Sequence, residues 1–372
     1  MNVPKLRFKE FNDEWNYTCL SEISTEITYG MNSASTEFDG LNKYIRITDI
    51  DDETGNFKPS NLVSPSNKLE DKFLVKKDDI LFARTGTSTG KTYLYNIKDG
   101  KLYFAGFLIK AHITKHNSNF IFQQTKLEKY KKWVKLTSMR SGQPGINSEE
   151  YGKCIFSITS LNEENKIAQF LSLLDKKIEL QTKKIEALKL FKKGLSFFLF
   201  NSINYNTEIK LGNLCSITTG KLDANAMNRN GKYRFFTCAR NYNYVNTYAF
   251  DTEALLISGN GAYVGYIHYY KGKFNAYQRT YVLYNFKHNI FYIKLFLEKF
   301  LRKRILFEKK DGNTPYIVLS TLFNMPIKLP DSKTESKLVD LFNLINKKLK
   351  LETKKAKQLS NIKKGLMQDL FV

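Results

Sequence analysis

Between residues 161 and 200 the apolar side chains Ile167, Leu171, Leu174, Ile178, Ile185, Leu188, Leu195 and Leu199 return at alternating steps of four and three, with Gln181 and Lys192 in the two remaining places. That is a heptad, so the stretch is expected to form one long helix with a coiled-coil seam. The pattern recurs 171 residues later, over 332–371, as Leu338, Phe342, Ile345, Leu349, Ala356, Leu359, Leu366 and Leu370. The polar places return as polar, Glu352 and Lys363. Residues 170–200 and 341–371 share 14 identities in 31 positions, Lys-Lys-Gly-Leu at 192–195 and 363–366 among them, which identifies a tandem duplication.

Two helices with the same seam in one chain most simply pack on each other, antiparallel if the repeats are related by a pseudo-twofold. Residues 162–199 would be ~57 Å long at about 1.5 Å per residue, a rigid spacer. The seam is expected to join Leu174, Ile178, Gln181, Ile185 and Leu188 with Ile345, Leu349, Glu352, Ala356 and Leu359. Its polar members either set the register or lie at the solvated margin of a broad stripe. A second apolar row, Leu173/Leu344 and Leu180/Leu351, would cover a globular part of the chain or dock a partner.

Residues 1–160 read as mixed α/β with more strand than helix. The alternation over 44–50 predicts a strand, and 52–56 a turn. A short buried strand is expected at 80–83, ending at Arg84. Residues 120–137 are helix-like, and 138–145 form a polar loop with two Gly and a Pro. The second copy repeats this order on a shorter scale. Its 211–220 answers 20–30, and its 255–265 answers 80–90, with Gly86/Gly261 and Gly90/Gly265 in register. Its helix at 290–307 answers 120–137, and its 311–315 answers the loop around Pro144. The expected class is α+β. Two homologous mixed α/β domains, 1–160 and 205–331, are separated by helical segments 161–204 and 332–372 that form an antiparallel coiled coil.

Composition adds a partner class. The net charge of +23 is uneven: residues 1–160 carry a surplus of four positive charges and 161–200 of three, whereas 201–331 carry ten and 332–372 six. Such a chain suits a polyanion, most simply nucleic acid. Cys19, Cys154, Cys215 and Cys238 stand far apart, and His112, His116, His268 and His288 form no ligand cluster, so neither zinc nor a disulfide framework is indicated. No apolar run approaches the roughly 18–20 residues of a membrane span, and no signal core stands at the start. The expected setting is a reduced cytoplasmic compartment without a membrane.

The most tempting catalytic motif is GTSTGKT at 86–92, but a phosphate-binding P-loop has four residues between its glycines and this run has three. The second copy keeps the glycines and loses Lys-Thr, so a structural turn after a strand explains both. There is no Pro-Pro for an adenine methyltransferase motif; a nuclease would need an Asp…Glu-x-Lys arrangement at a strand end, whereas Asp49 to Glu53 is acidic but reads as a turn and its repeat counterpart has no such cluster. What persists is a set of polar and aromatic side chains in a basic setting. In the first copy these are Arg46, Arg84, Thr85, Thr87, Ser88, Lys91, Ser138, Arg140, Ser141 and Gln143. In the second they are Arg234, Arg240, Asn241, Tyr242, Tyr263, Gln278, Arg279, Arg304, Lys309 and Lys310. Arg, Asn and Gln make bidentate contacts to G or A, while Lys, Ser and Thr mainly hold phosphates. As a set on two homologous domains they favour duplex DNA binding. A nucleotide-dependent or nuclease enzyme with a fused recognition domain is the alternative, and a coiled-coil scaffold that meets RNA or lipid is a third.

The whole length resembles the specificity subunits of type I restriction-modification systems. The likeness rests on the opening Pro4-Lys-Leu-Arg-Phe8…Phe11…Glu14-Trp15, the strand-Gly-x-x-x-Gly segment in each half, the Gly-Gln-Pro-Gly-Ile-Asn loop at 142–147, and above all the two helices. The resemblance implies two target recognition domains, each reading one half of a bipartite asymmetric DNA site, and helices that fix the spacing. It also implies a non-catalytic chain that binds two adenine methyltransferase subunits and the restriction/motor subunits. No cofactor is expected on the chain itself, with S-adenosylmethionine and ATP on the partners only. The second copy departs from the pattern at 311–317, which puts equivalent base contacts there in question.

Overall fold

The computed structural model describes residues 3–139, 142–308 and 315–372. The chain divides into two compact units, Met1–Thr182 with Lys354–Val372, and Lys183–Thr353.

The first unit runs β1 (Asn16–Cys19), α1 (Leu20–Ile23), β2 (Ser24–Tyr29), β3 (Ser35–Glu37), β4 (Lys43–Ile45), β5 (Val63–Pro65), β6 (Asp79–Ala83), β7 (Thr92–Leu94), β8 (Leu102–Phe104) and β9 (Leu108–Ile113). Then come α2 (Ser118–Gln124), α3 (Glu128–Thr137), α4 (Ser148–Gly152), β10 (Ile155–Ile158) and the start of α5 (Leu161–Ser202). Its main sheet has the order β2-β9-β6-β7. After Asp79, strand β6 is apolar to its end because both of its faces are covered. Ile80 and Phe82 join a core with Leu20, Phe120 and Tyr151, and Leu81 and Ala83 join one with Phe104 and Leu108.

The second unit repeats this plan with β11 (Thr207–Lys210), α6 (Leu211–Leu214), β12 (Ser216–Thr219), β13 (Tyr233–Phe236), β14 (Asn243–Val245), β15 (Phe250–Ser258), β16 (Ile267–Ala276) and β17 (Thr280–Tyr284). It continues through α7 (Ile290–Glu308), α8 (Leu319–Phe323), β18 (Pro326–Leu329) and the start of α9 (Ser332–Leu370). Its sheet order β12-β17-β15-β16-β13-β14 contains the four-strand order of the first unit. In both units a glycine ending the first sheet strand lies against an alanine carbonyl. An added Cβ at Gly30 would stand 2.2 Å from the Ala105 oxygen, and at Gly220 1.9 Å from that of Ala276.

Both long helices form as the heptad predicts, and within each unit their segments run antiparallel. In the first unit Lys363 of α9 reaches Asp175 of α5 at 2.6 Å, while Val372 lies near Ser157, just before α5 begins. Met367 and Leu370 join Ile167 and Leu171 in the core. In the second unit Glu352 meets Lys184 at 2.9 Å, and Phe200 meets Phe342. Along both helices the seam positions are the shielded ones, polar members included, and Glu352 is only 6% exposed. Leu173, Leu180, Leu344 and Leu351 are all exposed.

Two local expectations change. The strand at 44–50 stops after Ile45, because the Asp49 carboxylate folds back to accept from the Arg46 backbone N–H and guanidinium, making a tight helical turn. The helix over 120–137 is two helices. Thr125 follows the first, and its hydroxyl is taken by the Phe122 carbonyl and Thr92.

Candidate nucleic-acid interface

In the first unit β6 delivers the chain into a turn at 84–91. Gly86 and Gly90 both have left-handed backbones, φ 73° and 88°, which only glycine adopts without strain. Gly90 N–H donates to the Ala83 carbonyl at 2.9 Å, Thr89 N–H to that of Gly86 at 3.1 Å, and Lys91 N–H to that of Ser88 at 3.0 Å. The loop at 142–147 clamps the turn from outside: Gly86 N–H donates to the Pro144 carbonyl and Ile146 N–H to that of Arg84, each at 2.9 Å. Arg84, Thr85, Thr87, Ser88, Lys91 and Gln143 are thereby brought together, with Ser138 tied in through its carbonyl, which accepts from Gly145 N–H. Arg140 and Ser141 lie outside the described residues. The Gly86, Thr89, Gly90 and Lys91 amides are spent on protein carbonyls, unlike those of a phosphate cradle, whose N–H groups face the ligand. Lys91 is paired with Asp52 at 2.5 Å.

Three side chains not singled out in the sequence complete this site. The Arg84 guanidinium lies over the Tyr29 ring, 4.6 Å from its centre, and the Tyr29 hydroxyl accepts from the Ser148 N–H at 3.1 Å. Exposed Phe107 gives its carbonyl to the Arg84 N–H. Between the turn and α3 opens a cleft of about 410 Å³, lined among others by Thr87, Lys91, Lys126 and Lys135. Burial pushes the Lys126 amine down to about 8, and it donates to the Thr92 hydroxyl at 3.2 Å. The signals for Tyr29 and Lys126 are long-range packing, which no local pattern carries. Arg46 is committed to Asp49 through two guanidinium bonds of 2.9 Å and belongs to its own loop.

The second unit builds the same turn. Gly261 and Gly265 have φ 78° and 79°, Gly265 N–H donates to the Ser258 carbonyl at 2.8 Å, and Val264 N–H to that of Gly261 at 3.1 Å. Ile317 N–H closes on the Gly259 carbonyl at 2.8 Å, as Ile146 does on Arg84. The clamp therefore survives the altered loop sequence. The side chains it presents are different: where the first turn has Thr85, Thr87, Ser88 and Lys91, the second has Asn260, Ala262, Tyr263 and Tyr266.

Around it lies an arginine–tyrosine surface. Arg240 stands over Tyr263 at 5.0 Å, and Arg234 between Tyr242 at 4.3 Å and Tyr270 at 4.6 Å. Asn241 is exposed beside them. Arg279 flanks the turn, its carbonyl accepting from Gly259 N–H, while the Gln278 amide donates to Asp223 at 3.3 Å. His268, missed in the sequence, donates from Nε2 to the Ala239 carbonyl at 2.8 Å and anchors the Arg240 loop; burial lowers its pKa. Arg304 sits on α7, paired with Glu308 at 2.9 Å. Lys309 and Lys310 lie outside the described residues.

The site thus offers hydrogen-bond donors, guanidinium groups and aromatic faces on two rigid, repeated turns, which is equipment for reading a polyanion with ordered edges. Among the described residues no group of His, Cys, Asp and Glu side chains could hold a metal, and no helix is long and apolar enough to cross a membrane.

Comparison with known proteins agrees with this architecture. The family described as "Type I restriction modification DNA specificity domain" matches residues 12–190 and again 205–361. The type I restriction enzyme EcoDI specificity subunit of Escherichia coli is 35% identical over 163 residues, 43% of this chain. The match spans only 35% of the length of that relative. Among solved structures, the S subunit of a type I restriction-modification system from M. genitalium has the same fold, with a TM-score of 0.67 at 18% identity, covering 100% of this chain and 99% of the other. A chain from a structure concerned with complex assembly and conformational transition of the type I restriction-modification system gives 0.58 at 14% identity over 96% and 97%. The chain belongs to the family of type I restriction-modification DNA specificity domains and carries that domain twice.

Proposed function

We propose that this chain selects the DNA sequence on which a type I restriction-modification complex acts, and that each recognition domain, 1–160 and 205–331, reads one half of a bipartite asymmetric site. The observation that carries this reading is the pair of superposable turns with different side chains. An unchanged frame, Gly86/Gly90 and Gly261/Gly265, holds Thr87, Ser88 and Lys91 in one unit and Ala262, Tyr263 and Tyr266 in the other. Two scaffolds of one design with unlike reading heads fit two unlike half-sites.

The helical segments 161–204 and 332–372 set the gap between the halves in this reading, and their exposed rows, Leu173 and Leu180 with Leu344 and Leu351, dock two adenine methyltransferase subunits. Repetition of the row supports two copies of one partner. Restriction/motor subunits join through the same complex, and S-adenosylmethionine and ATP are held by the partners, in the cytoplasm. A target adenine inside a duplex must be extruded before methylation, so the pocket chemistry belongs to the methyltransferase.

The test is a methylome of cells that carry the chain with its methyltransferase. Exchanging residues 205–331 for those of another family member should change one half-site and leave the other. Deleting one heptad from both helices should shorten the gap with both halves intact. Altered recognition on both sides, or an unchanged gap, refutes the respective part.

A further inference from the structure

Gly90 is packed against Val134 of α3, and Gly265 is packed against Ile305 of α7, so these two helix positions are structural equivalents, 171 residues apart like the long helices. The same offset aligns Lys131 with Arg302, Lys132 with Lys303, and Leu136 with Phe307. All six side chains are exposed. Leu136 is 72% exposed and Phe307 92%.

A single exposed leucine needs no explanation. Here the aligned helix segments 128–137 and 299–308 are identical only at Lys132/Lys303, yet both keep a large apolar side chain at the outer end of the helix that backs the turn. The residue type changed while its character and exposure did not. In each case a lysine precedes it by four residues, and four residues on a helix share one face. A lysine also stands four residues before Leu180 and Leu351 on the long helices, so it is the place behind the turn of each recognition unit, and not the spacing alone, that turns this apolar tip and its cation toward a nucleic acid. An apolar tip beside a cation is the composition of a wedge that enters a base step while its neighbour holds the phosphate. The location fits: Leu136 comes two residues before Ser138, whose carbonyl fastens the loop that clamps the turn.

We propose that Leu136 and Phe307 are paired wedges, each inserting between two bases at one step of its half-site, with Lys132 and Lys303 on the flanking phosphates. This rests on the DNA-recognition reading above. An unstacked step next to the target adenine would lower the cost of its extrusion into the partner enzyme, so the recognition chain would prepare the base that another subunit modifies.

The experiment uses the full chain assembled with its methyltransferase subunits and duplexes that the complex selects from a random pool, with 2-aminopurine placed in turn at each adenine. The wild-type complex is expected to brighten the probe at one step in each half. Leu136→Ala should remove the signal in one half only and Phe307→Ala in the other, each with about tenfold weaker binding. Leu136→Met and Phe307→Leu should keep it. Lys132→Ala should instead lower the salt dependence of binding by about one phosphate contact. Melting temperatures should stay unchanged, because both side chains are exposed. Signals that survive the alanine variants, or a wild-type complex that binds its duplex without an unstacked step, overturn the proposal. So does loss of the methyltransferase subunits with DNA contacts intact, which would make the pair a protein contact. A complex that selects no sequence at all refutes the DNA reading itself.

Discussion

Gly90 lies so near Val134 that an added Cβ would stand 2.5 Å from the valine Cγ1, and its backbone has φ 88°. Gly90→Ala therefore meets two penalties, a left-handed backbone and a collision with a branched side chain held by α3. Together they should cost about 2–4 kcal/mol, enough to lower the melting temperature by several degrees. Gly265 has the same backbone conformation, but its added Cβ would meet only the Ile305 Cδ1, at 2.8 Å. That atom is the flexible end of its side chain, so Gly265→Ala should cost about 1 kcal/mol, mostly backbone. Thermal unfolding of the two variants side by side checks the order; equal losses would mean that the valine contact relaxes freely.

The Arg234 guanidinium lies between the rings of Tyr242 and Tyr270, which fixes its plane and leaves its edge to make paired hydrogen bonds. Arg234→Lys keeps the charge and loses the fork. It should weaken binding of the half-site read by the second unit by roughly tenfold or more while the first half is still recognised, a discrimination of about 1–3 kcal/mol. Competition binding with duplexes altered in one half at a time measures this. Equal loss for every duplex would assign Arg234 to phosphate contact.

The helices were legible because a heptad is a local signal repeated many times, and the duplication let one copy check the other. The turn at Gly86–Gly90 was legible for the same reason, since two glycines in register survive in both copies. The loop at 311–317 looked divergent, yet Ile317 makes the bond that Ile146 makes. A backbone N–H is indifferent to the side chain beside it, so this kinship could not be read in residue types. Arg46 looked available and is spent on Asp49, three residues away, because a carboxylate at that spacing can curl back onto both the N–H and the guanidinium. Tyr29 and Lys126 owe their places to residues far along the chain, and no window of sequence contains both members of those contacts.

Glu352 occupies a seam position of α9 with its side chain buried, paired with Lys184 at 2.9 Å. The carboxylate is buried while its partner Lys184 is half exposed, so the pairing only partly offsets the cost of desolvating Glu352, and polar seam residues of this kind are most often kept to fix register. Glu352→Leu, which completes the heptad with an apolar residue, should leave stability unchanged or raise it by about 1–4 kcal/mol. Glu352→Ala lacks that gain in burial and should not stabilise. Chemical denaturation separates the two. A marked loss with leucine would show that the carboxylate is worth more to the second unit than the apolar contact that replaces it.

Lys126 carries an amine that burial drives from 10.5 to about 8, with Asp51, Asp175, Lys131 and Lys363 as the charged groups that act on it and Thr92 as its hydrogen-bond partner. Between pH 8 and 10.5 the unfolded chain holds a proton on this amine that the folded chain has released. Stability must therefore rise with pH across that window, by up to about 3 kcal/mol, and the buried charge is a full liability below pH 8. Lys126→Met keeps an unbranched stem over the Phe122 ring, where the amine now lies 4.4 Å from the ring centre, and removes the charge. The variant should be more stable than wild type at pH 7, and the difference should shrink toward zero by pH 10.5. Other groups that titrate in this range are common to both proteins and cancel in the difference. Parallel stability curves would show that the amine is solvated in the cleft, and a less stable variant at pH 7 would show that the Thr92 hydrogen bond outweighs the buried charge.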